Sequence, residues 1–334
     1  MKAMSESQNS AILIVDEMHE SLMQKLDANG LKYSYQPGIE AADIPTAMKN
    51  CSVLVIRSKM RVDASIKRYA PELELIVRAG SGMDNLEVEA LEKVGVQCLN
   101  CPEANRDAVA EQTIGTLLAL SSNIVKGNRE TSDHQWDREG NRGFEIGGKT
   151  VGIIGYGNTG SAVAQRLQSF NVRILAYDKY LSGFGSKMVE EVDIETLLNE
   201  ADVISFHVPL TNETRDWIND DFFKRVKKQI VLLNLARGEI METSAVLRAL
   251  ERKQIVALGV DVWPNEKLET WSDEEREEFD RIKVSGNVLI TPHVAGWTRE
   301  SYRRISEIAA DKILAYFEKS IPFVKDEDNI SDNT

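Results

Sequence analysis

Three short segments, each at the end of a predicted strand, carry side chains that could do chemistry on a small acid. They supply the guanidinium of Arg237, the carboxylate of Glu266 and the imidazole of His293. An arginine can hold a carboxylate in bidentate geometry, and a histidine paired with an acid can shuttle a proton. A glycine-rich turn upstream, residues 155–160, suits a dinucleotide that exchanges a hydride. Together these groups predict a dehydrogenase acting on a hydroxy acid.

The glycine-rich turn has the spacing of a dinucleotide-binding motif. It directly follows the predicted strand Val151–Ile154 and opens the helical segment Ser161–Phe170, which is the context that gives the motif its meaning. The first glycine makes the tight turn, the second lets the backbone approach a pyrophosphate, and the third lets helix and strand pack closely. The predicted cofactor-binding glycines are therefore Gly155, Gly157 and Gly160.

Asp178 ends the next predicted strand. A carboxylate there hydrogen-bonds the ribose hydroxyls and repels a 2′-phosphate, which predicts NAD over NADP. Lys179, next to it, softens that preference. The alternative is a tight turn with an incidental surface aspartate, and the matching order of strand, turn, helix and acid disfavours it.

The chain alternates between apolar strands and helices, which is typical of buried parallel sheets. The first third contains four predicted strands: Ala11–Val15, Val53–Ile56, Leu73–Val77 and Val94–Leu99. Six more follow from Lys149: Val151–Ile154, Val172–Tyr177, Val203–His207, Ile230–Leu235, Val256–Val260 and Val288–Ile290. We predict an α/β protein of two doubly wound parallel-sheet domains, a flavodoxin-like substrate domain and a Rossmann NAD-binding domain.

Two long helices set the predicted domain limits. One runs from about Arg106 to Ser132 with an apolar middle, and it must be covered between domains or by a second subunit. The other, about Arg299 to Lys319, is expected to pack back on the first domain. The predicted domains are 1–105 plus 297–334, and 106–296.

Composition excludes several classes of protein. The formal charge of −13 over 334 residues argues against a nucleic-acid-binding surface. No apolar run approaches a membrane span, and the polar start, Met1 to Ser10, lacks a signal-peptide core, so a cytoplasmic protein is expected. The acidic run Ser272–Asp280 predicts a solvated surface helix, and the tail Lys325–Thr334 predicts disorder.

The three cysteines do not form a disulfide framework. Cys98 and Cys101 have the spacing of a redox motif, but they follow a strand instead of opening a helix. Zinc would need two further ligands, and only Cys51 and four scattered histidines are available. No metal site is predicted.

In an open α/β sheet, ligands bind beyond the carboxyl ends of the strands, and Arg237, Glu266 and His293 all emerge at that edge. Each has an ordinary alternative. Arg237 could pair with surface acids, His293 could be a satisfied core histidine, and Glu266 could belong to the acidic surface segment. The three in one order favour the catalytic interpretation.

At these residues the chain resembles the D-2-hydroxyacid dehydrogenase family, most closely its D-3-phosphoglycerate dehydrogenase members. The resemblance runs from Ala11 to about Lys319. It is carried by the glycine turn, the three catalytic segments, Arg78-Ala79-Gly80-Ser81-Gly82-Met83-Asp84-Asn85, Asn105, Val109-Ala110-Glu111 and His207-Val208-Pro209-Leu210-Thr211.

The resemblance implies a role for each site residue. Arg237 would bind the substrate carboxylate and polarise the carbonyl, His293 would exchange the hydroxyl proton, and Glu266 would orient the imidazole and favour its protonated form. The backbone amides around Gly80–Gly82 would also hold the carboxylate. The positions that contact NAD in the family correspond here to the glycine turn and to Ser81, Asn158, Thr159, Asp178, His207, Val208, Leu235, Ala236, Asp261 and Gly296.

The substrate is predicted to carry a phosphate, because cations gather near strand ends in an otherwise acidic chain. Arg57, with Lys59 close behind, and Arg78 each end a strand of the first domain. Arg138 matches a family position that can reach the neighbouring subunit's site. Alternatively, these arginines only balance nearby acids such as Asp63 and Glu74. The leading substrate is 3-phosphoglycerate, oxidised in the first step of serine biosynthesis.

Two departures from the family pattern bear on the substrate. Lys267 stands where a proline commonly follows the catalytic glutamate, and the segment from Glu266 to His293 is longer than usual. No C-terminal regulatory domain, and so no feedback control through one, is expected. The rival functions are a hydroxypyruvate or glyoxylate reductase of the same family and a non-enzymatic NAD-sensing regulator. A homodimer is expected, as in the family.

Overall fold

A computed structural model describes residues 11–320 of the chain. The predicted disordered tail, 325–334, and the polar start, 1–10, lie outside the described residues. The chain divides into two compact units. The first contains the described parts of Met1–Cys101 and Tyr302–Thr334, and the second is Pro102–Ser301.

The first unit is built on a five-stranded parallel sheet. Its strands are β1 (Ile12–Ile14), β2 (Tyr33–Tyr35), β3 (Val53–Ile56), β4 (Leu75–Arg78) and β5 (Gln97–Asn100), in the order β2-β1-β3-β4-β5. Its helices include α1 (Ser21–Ala28), α2 (Ile44–Ala47) and α3 (Val88–Lys93). This is the flavodoxin-like strand order, which confirms the predicted fold class. Strand β2 was not predicted, because its sequence Tyr-Ser-Tyr is short and only partly buried.

The second unit is built on a seven-stranded parallel sheet in the order β12-β11-β10-β9-β6-β7-β8. Its strands are β6 (Thr150–Ile154), β7 (Arg173–Tyr177), β8 (Glu190–Glu191), β9 (Val203–Phe206), β10 (Ile230–Asn234), β11 (Ile255–Val260) and β12 (Asn287–Ile290). Its helices are α4 (Pro102–Ser121), α5 (Ile124–Ser132), α6 (Asn158–Leu167), α7 (Ile194–Glu200), α8 (Asp220–Arg225), α9 (Thr243–Glu251) and α10 (Asp273–Val284). The strand order reverses between β6 and β9, and ligands of such sheets bind at this switch point.

The long helix predicted from Arg106 to Ser132 is in fact two helices, α4 and α5. The break lies at Asn123, whose φ of 51° is left-handed, a conformation that asparagine tolerates well. The carbonyl of Ser121 accepts the Phe144 N–H at 2.8 Å, and that of Leu120 accepts Asn287 Nδ2 at 2.7 Å. These long-range donors satisfy the free carbonyl groups at the end of α4. Sequence periodicity does not show such partners, so it did not predict the break.

The apolar middle of α4 is covered within its own unit, not by a second subunit or between domains. Ile114, Leu117 and Leu120 are buried in a hydrophobic core that includes Val163 of α6 and Ala257 of β11.

The last helix, α11 (Arg299–Ser320), packs on the first unit. Ser306 Oγ accepts the His19 N–H at 3.0 Å, and Asp311 pairs with Lys25 at 2.6 Å. Tyr316 hydrogen-bonds to Glu74. The first unit is therefore discontinuous in sequence.

Candidate active site

The glycine turn joins β6 to α6 at the switch point of the second sheet. Gly155 has a φ of 93°, and a Cβ there would lie 2.6 Å from the His207 carbonyl oxygen. A Cβ on Gly160 would lie 1.9 Å from the Gly155 carbonyl oxygen, so only glycine lets α6 approach this closely. A Cβ on Gly157 would meet no atom of the described chain within 4 Å. The turn is thus closely packed at Gly155 and Gly160 and open at Gly157.

The open side fits a pyrophosphate. Gly157, which has no side chain, is the N-cap of α6, and Asn158 and Thr159 form the first turn of that helix. Their backbone N–H groups are the unpaired donors of a helix N-terminus, which bind anions. The residues present therefore fit a dinucleotide cofactor.

Asp178 lies immediately after β7 and is half-buried. Its Oδ2 accepts the Tyr156 N–H at 2.8 Å, and its Oδ1 accepts the N–H groups of Tyr180 and Leu181 at 2.9 and 3.0 Å. The carboxylate is thereby fixed beside the glycine turn. Lys179 pairs instead with Glu213 at 2.6 Å, so its charge is partly neutralised.

His207 and Val208 follow β9 and back the glycine turn. A Cβ on Gly155 would lie 2.8 Å from Val208 Cγ1. The His207 Nε2 lies 2.8 Å from Ser205 Oγ. Burial lowers the pKa of His207 to about 4, so this ring is neutral at physiological pH and acts as a hydrogen-bonding group.

His293 and Glu266 form a hydrogen-bonded pair. The His293 Nδ1 lies 2.8 Å from Oε1 and 3.0 Å from Oε2 of Glu266. Burial by itself raises the pKa of Glu266, but the hydrogen bond and charge of His293, the Trp263 N–H and the charge of Arg237 together lower it below its ordinary value. The carboxylate is therefore ionised near neutrality, and the imidazole Nε2 is left to exchange a proton.

The backbone of His293 is in the left-handed region, with a φ of 54°. Its N–H donates to the carbonyl of Asp261 at 2.6 Å. Histidine adopts this conformation more readily than most residues, but it is uncommon and occurs often at functional sites. The surrounding contacts hold the ring's orientation.

Asp261 organises the loop that carries His293. Its carboxylate is buried and accepts the N–H groups of Val294 and Ala295 at 3.0 and 2.8 Å. It also accepts Thr291 Oγ1 at 2.5 Å and Gln112 Nε2 at 3.1 Å. These contacts come from α4 and from both sides of His293. Sequence reasoning named neither Gln112 nor Thr291 as a site residue, because the contact between Gln112 and Asp261 spans 149 positions.

Arg237 is placed by a turn that Asn234 stabilises. The buried Asn234 donates from Nδ2 to the Arg237 carbonyl at 2.9 Å and accepts the Ala236 N–H at 3.1 Å. The turn then touches the next loop, since a Cβ on Gly238 would lie 2.0 Å from the Trp263 carbonyl carbon. The preceding Leu235 is buried in the core. The loops that bear Arg237 and Glu266 are thus in backbone contact.

Gly296 and Ser81, the remaining residues predicted to contact NAD, are far apart in the sequence. A Cβ on Gly296 would lie 2.5 Å from Asn105 Nδ2, so this glycine packs against α4. Ser81 belongs to the first unit, where its carbonyl accepts Asn100 Nδ2 at 2.5 Å. Their predicted contacts with NAD stay predictions.

The loop from Gly80 to Gly82 follows β4 in the first unit. The Arg78 guanidinium folds over it, because a Cβ on Gly80 would meet Arg78 Nη1 at 1.8 Å. The Gly80 carbonyl accepts the Cys101 N–H at 2.8 Å. Arg78 is therefore held against the loop whose amides were predicted to bind a carboxylate.

Arg57 and Arg78 end neighbouring strands. Arg57 follows Ile56, and Ile56 pairs with Arg78 in the register of β3 and β4. The Arg57 N–H donates to Asp16 Oδ2 at 2.6 Å, and its guanidinium lies 5.8 Å from the centre of the Tyr302 ring. Lys59 turns away to the Pro37 carbonyl. Arg138, in the second unit, is exposed in the loop after α5.

The environment of Cys98 keeps its thiol protonated. Burial, with the charge of Glu92, raises the pKa of Cys98 to about 11, which disfavours the thiolate. Within residues 11–320, no group of three or more His, Cys, Asp or Glu is arranged to hold a metal. Among the helices described there, none is long and apolar enough to cross a bilayer.

Comparison with known proteins shows which family these features belong to. Residues 114–295 match the family described as D-isomer specific 2-hydroxyacid dehydrogenase, NAD binding domain. The chain belongs to this family. It is 34% identical to a hydroxypyruvate reductase from Thermotoga maritima over 83% of this chain and 88% of that protein.

Two further comparisons agree with this assignment. The chain is 32% identical to a D-3-phosphoglycerate dehydrogenase from Archaeoglobus fulgidus over 91% of its own length, but it spans only 56% of that relative. A solved D-lactate dehydrogenase from Aquifex aeolicus, complexed with NAD and lactic acid, has a TM-score of 0.81 at 25% identity and covers 92% of this chain and 96% of that one. The predicted family, fold class and NAD cofactor are confirmed.

Proposed function

We propose that the chain catalyses reversible hydride transfer between NAD and C2 of a D-2-hydroxy acid. The observation that carries the proposal is the pairing of His293 Nδ1 with the Glu266 carboxylate at 2.8 and 3.0 Å, on loops beyond the carboxyl ends of β11 and β12. The loop that bears Arg237 touches the Glu266 loop, and the glycine turn belongs to the same sheet.

The proton transfer falls to His293. During oxidation its Nε2 accepts the proton of the C2 hydroxyl, and during reduction it returns that proton to the carbonyl oxygen. Glu266 holds the other ring nitrogen, which fixes the tautomer and stabilises the imidazolium that forms. Because the pKa of Glu266 is lowered, its charge is in place throughout.

Arg237 binds the substrate carboxylate and polarises the adjacent carbonyl. The turn stabilised by Asn234 sets the direction in which the guanidinium leaves the backbone. A planar guanidinium recognises a carboxylate through two parallel hydrogen bonds, which orients C2 as well as binding it. NAD, when bound on the glycine turn, supplies or accepts the hydride.

The substrate is proposed to be 3-phosphoglycerate, or 3-phosphohydroxypyruvate in the reverse direction. Arg57 and Arg78 at adjacent strand ends support this choice, because two guanidinium groups give a phosphate several charge-assisted hydrogen bonds. Relatives that match over most of their own length are named hydroxypyruvate reductase and glyoxylate reductase, which favours an unphosphorylated 2-oxo acid as the second candidate.

A panel of substrates tests both the reaction and the choice. Initial rates with NADH are measured for 3-phosphohydroxypyruvate, hydroxypyruvate, glyoxylate and pyruvate. The highest kcat/KM for the phosphorylated acid supports phosphoglycerate dehydrogenase activity, and a preference for hydroxypyruvate or glyoxylate supports the reductase. No turnover with any of them would contradict the proposed reaction and favour a regulator that only binds NAD.

We also propose that the chain works as a homodimer in the cytoplasm. The proposed interface is on α5 and the loop after it, where Ile124, Val125 and Trp136 are 57%, 50% and 86% exposed. Large apolar side chains this exposed are candidates for a protein interface, and two-fold dimers are the commonest assembly. A monomer by light scattering at micromolar concentration would contradict the dimer.

A further inference from the structure

The acidic helix α10 has no role in the chemistry described above, although it lies in the segment between Glu266 and His293. It is a well-formed helix. Ser272 and Glu275 make a capping box, with the Ser272 N–H 2.7 Å from Glu275 Oε2. It is tied to α9 by Thr243, whose Oγ1 donates to Glu278 at 2.5 Å. Because α10 is anchored at its start and along its side, it can hold in place the loop that packs against it.

An aromatic cluster joins α10 to the loop that bears Glu266. The ring of Phe279, on α10, lies 5.0 Å from that of Trp263 and 5.0 Å from that of Trp271. The first contact is edge-to-face at 85°, and the second is tilted at 58°. Both geometries are favourable for aromatic pairs. Trp263 comes just after β11 and precedes Glu266 by three positions.

Hydrogen bonds from the segment that contains Trp271 and α10 reach Asn265, the residue directly before Glu266. The Trp271 Nε1 donates to the Asn265 carbonyl oxygen at 2.7 Å. The Asn265 side chain donates from Nδ2 to Glu275 Oε1 at 3.3 Å, and its Oδ1 accepts the Lys267 N–H at 3.1 Å. Trp271 therefore holds the peptide before Glu266. The Asn265 side chain, itself bound to Glu275 of α10, holds the peptide after it.

Glu266 needs such support, because its side chain is 45% exposed and that of His293 is 47% exposed. A hydrogen-bonded pair this open to water gains little by itself, since each side chain loses rotamer freedom when the pair forms. A fixed loop removes part of that cost in advance.

We propose that Trp271 is a positioning residue for Glu266, holding the Asn265 carbonyl so that the carboxylate stays on His293 Nδ1. The proposal rests on the catalytic roles proposed above and deepens them. It gives the long segment between Glu266 and His293 a function: in this chain, α10 and its aromatic cluster fix the orientation of the acid that orients the base.

The test compares Trp271→Phe, which keeps an aromatic ring and removes the Nε1 donor, with Glu266→Gln. Trp217→Phe is the matched control, because Trp217 packs against Phe206 in the core of the same unit. Thermal unfolding confirms that each variant is folded. The first readout is the NMR signal of the His293 Nδ1–H at one fixed pH, which reports the hydrogen bond to Glu266. It is simple to assign because the chain has four histidines and His293→Asn removes one signal.

In Glu266→Gln the His293 Nδ1–H signal should move upfield or be lost through exchange with water, because the carboxylate no longer accepts this hydrogen bond. Trp271→Phe should move the signal in the same direction by a smaller amount. Trp217→Phe should leave it unchanged. An unmoved signal in Trp271→Phe would overturn the positioning role, and so would an unmoved signal in Glu266→Gln, since nothing would then be positioned.

The second readout is kinetic. In Trp271→Phe, kcat for 2-oxo acid reduction should fall about threefold or more at pH 7.5. The KM for NADH should not change. Because the NMR measurement needs no turnover, a wild-type protein without activity would defeat the proposed reaction and leave the positioning role to be decided by the Nδ1–H signal.

Discussion

The backbone at Gly238 touches the backbone of Trp263: a Cβ on this glycine would lie 2.0 Å from the Trp263 carbonyl carbon and 2.1 Å from its oxygen. The residue after Arg237 and the start of the Glu266 loop therefore fix each other's position. No flexible side chain lies at this contact, so any larger residue must move one of the two loops.

Gly238→Ala should for that reason lower kcat/KM by roughly tenfold to a hundredfold, since a displacement of about 1 Å in a catalytic group can cost this much. The Kd for NADH, measured by fluorescence, should change little. Gly147→Ala is the matched control, because a Cβ there would make only an ordinary contact with the Phe170 oxygen at 3.6 Å. Equal activities in the two variants would contradict the coupling of the loops.

His293→Asn should lower kcat by roughly two to four orders of magnitude through loss of general acid–base catalysis. Asparagine tolerates the left-handed backbone found at this position, where φ is 54°. NADH binding and the thermal midpoint should therefore stay close to wild type. Turnover at the wild-type rate in this variant would rule out His293 as the proton-transfer group.

Asp178→Ala should reduce the preference for NADH over NADPH by roughly tenfold or more, because a charge-assisted hydrogen bond is worth about 1.5–3 kcal/mol. It should also lower the thermal midpoint, since the carboxylate accepts three backbone N–H groups. Asp193→Ala controls for that loss, because Asp193 caps α7 by accepting the Thr196 N–H at 2.7 Å. Native turnover with NADPH equal to that with NADH would contradict the role of Asp178.

The stability of the protein should fall on acidification between about pH 6.5 and pH 4 because of His207. Burial lowers the pKa of this group to about 4, whereas an unfolded histidine titrates near 6.5. In this range the unfolded chain binds a proton that the folded chain does not, so unfolding becomes more favourable as pH falls. Below about pH 4 both the folded and the unfolded chain bind this proton, so the loss of stability caused by His207 is complete.

Thermal midpoints measured from pH 7 to pH 4 test this contribution. His207→Asn should show a smaller loss over the range than the native protein, whereas His134→Asn, at an exposed residue, should follow the native curve. Identical curves for all three proteins would show that His207 is not the group responsible.

Arg57→Ala should weaken the use of 3-phosphohydroxypyruvate by roughly tenfold or more and leave glyoxylate almost unaffected, because only the former has a phosphate for the arginine to bind. Arg61→Ala is the matched control, since Arg61 is exposed and lies 3.8 Å from Glu87. If Arg57→Ala lowers both substrates equally, Arg57 supports the fold and does not select a phosphate.

The sequence by itself indicated most of the strands, the position of the glycine turn and the types of the three side chains proposed for catalysis. Most of the predicted strands are apolar runs, and the predicted limits fall within about three residues of the observed ones. Local signals of this kind depend on neighbours in the chain, such as a glycine turn between a buried strand and a helix. Arg237, Glu266 and His293 follow β10, β11 and β12 of one parallel sheet.

The contacts that hold those side chains were decided only by the tertiary structure. The left-handed backbone of His293, the buried Asp261 with its partner Gln112, and the close approach of Gly238 to Trp263 all depend on segments far apart in sequence. The break between α4 and α5 has the same origin, since Asn287 satisfies the end of α4 from 167 positions away. A sequence pattern reports which groups are present, but their geometry follows from long-range packing.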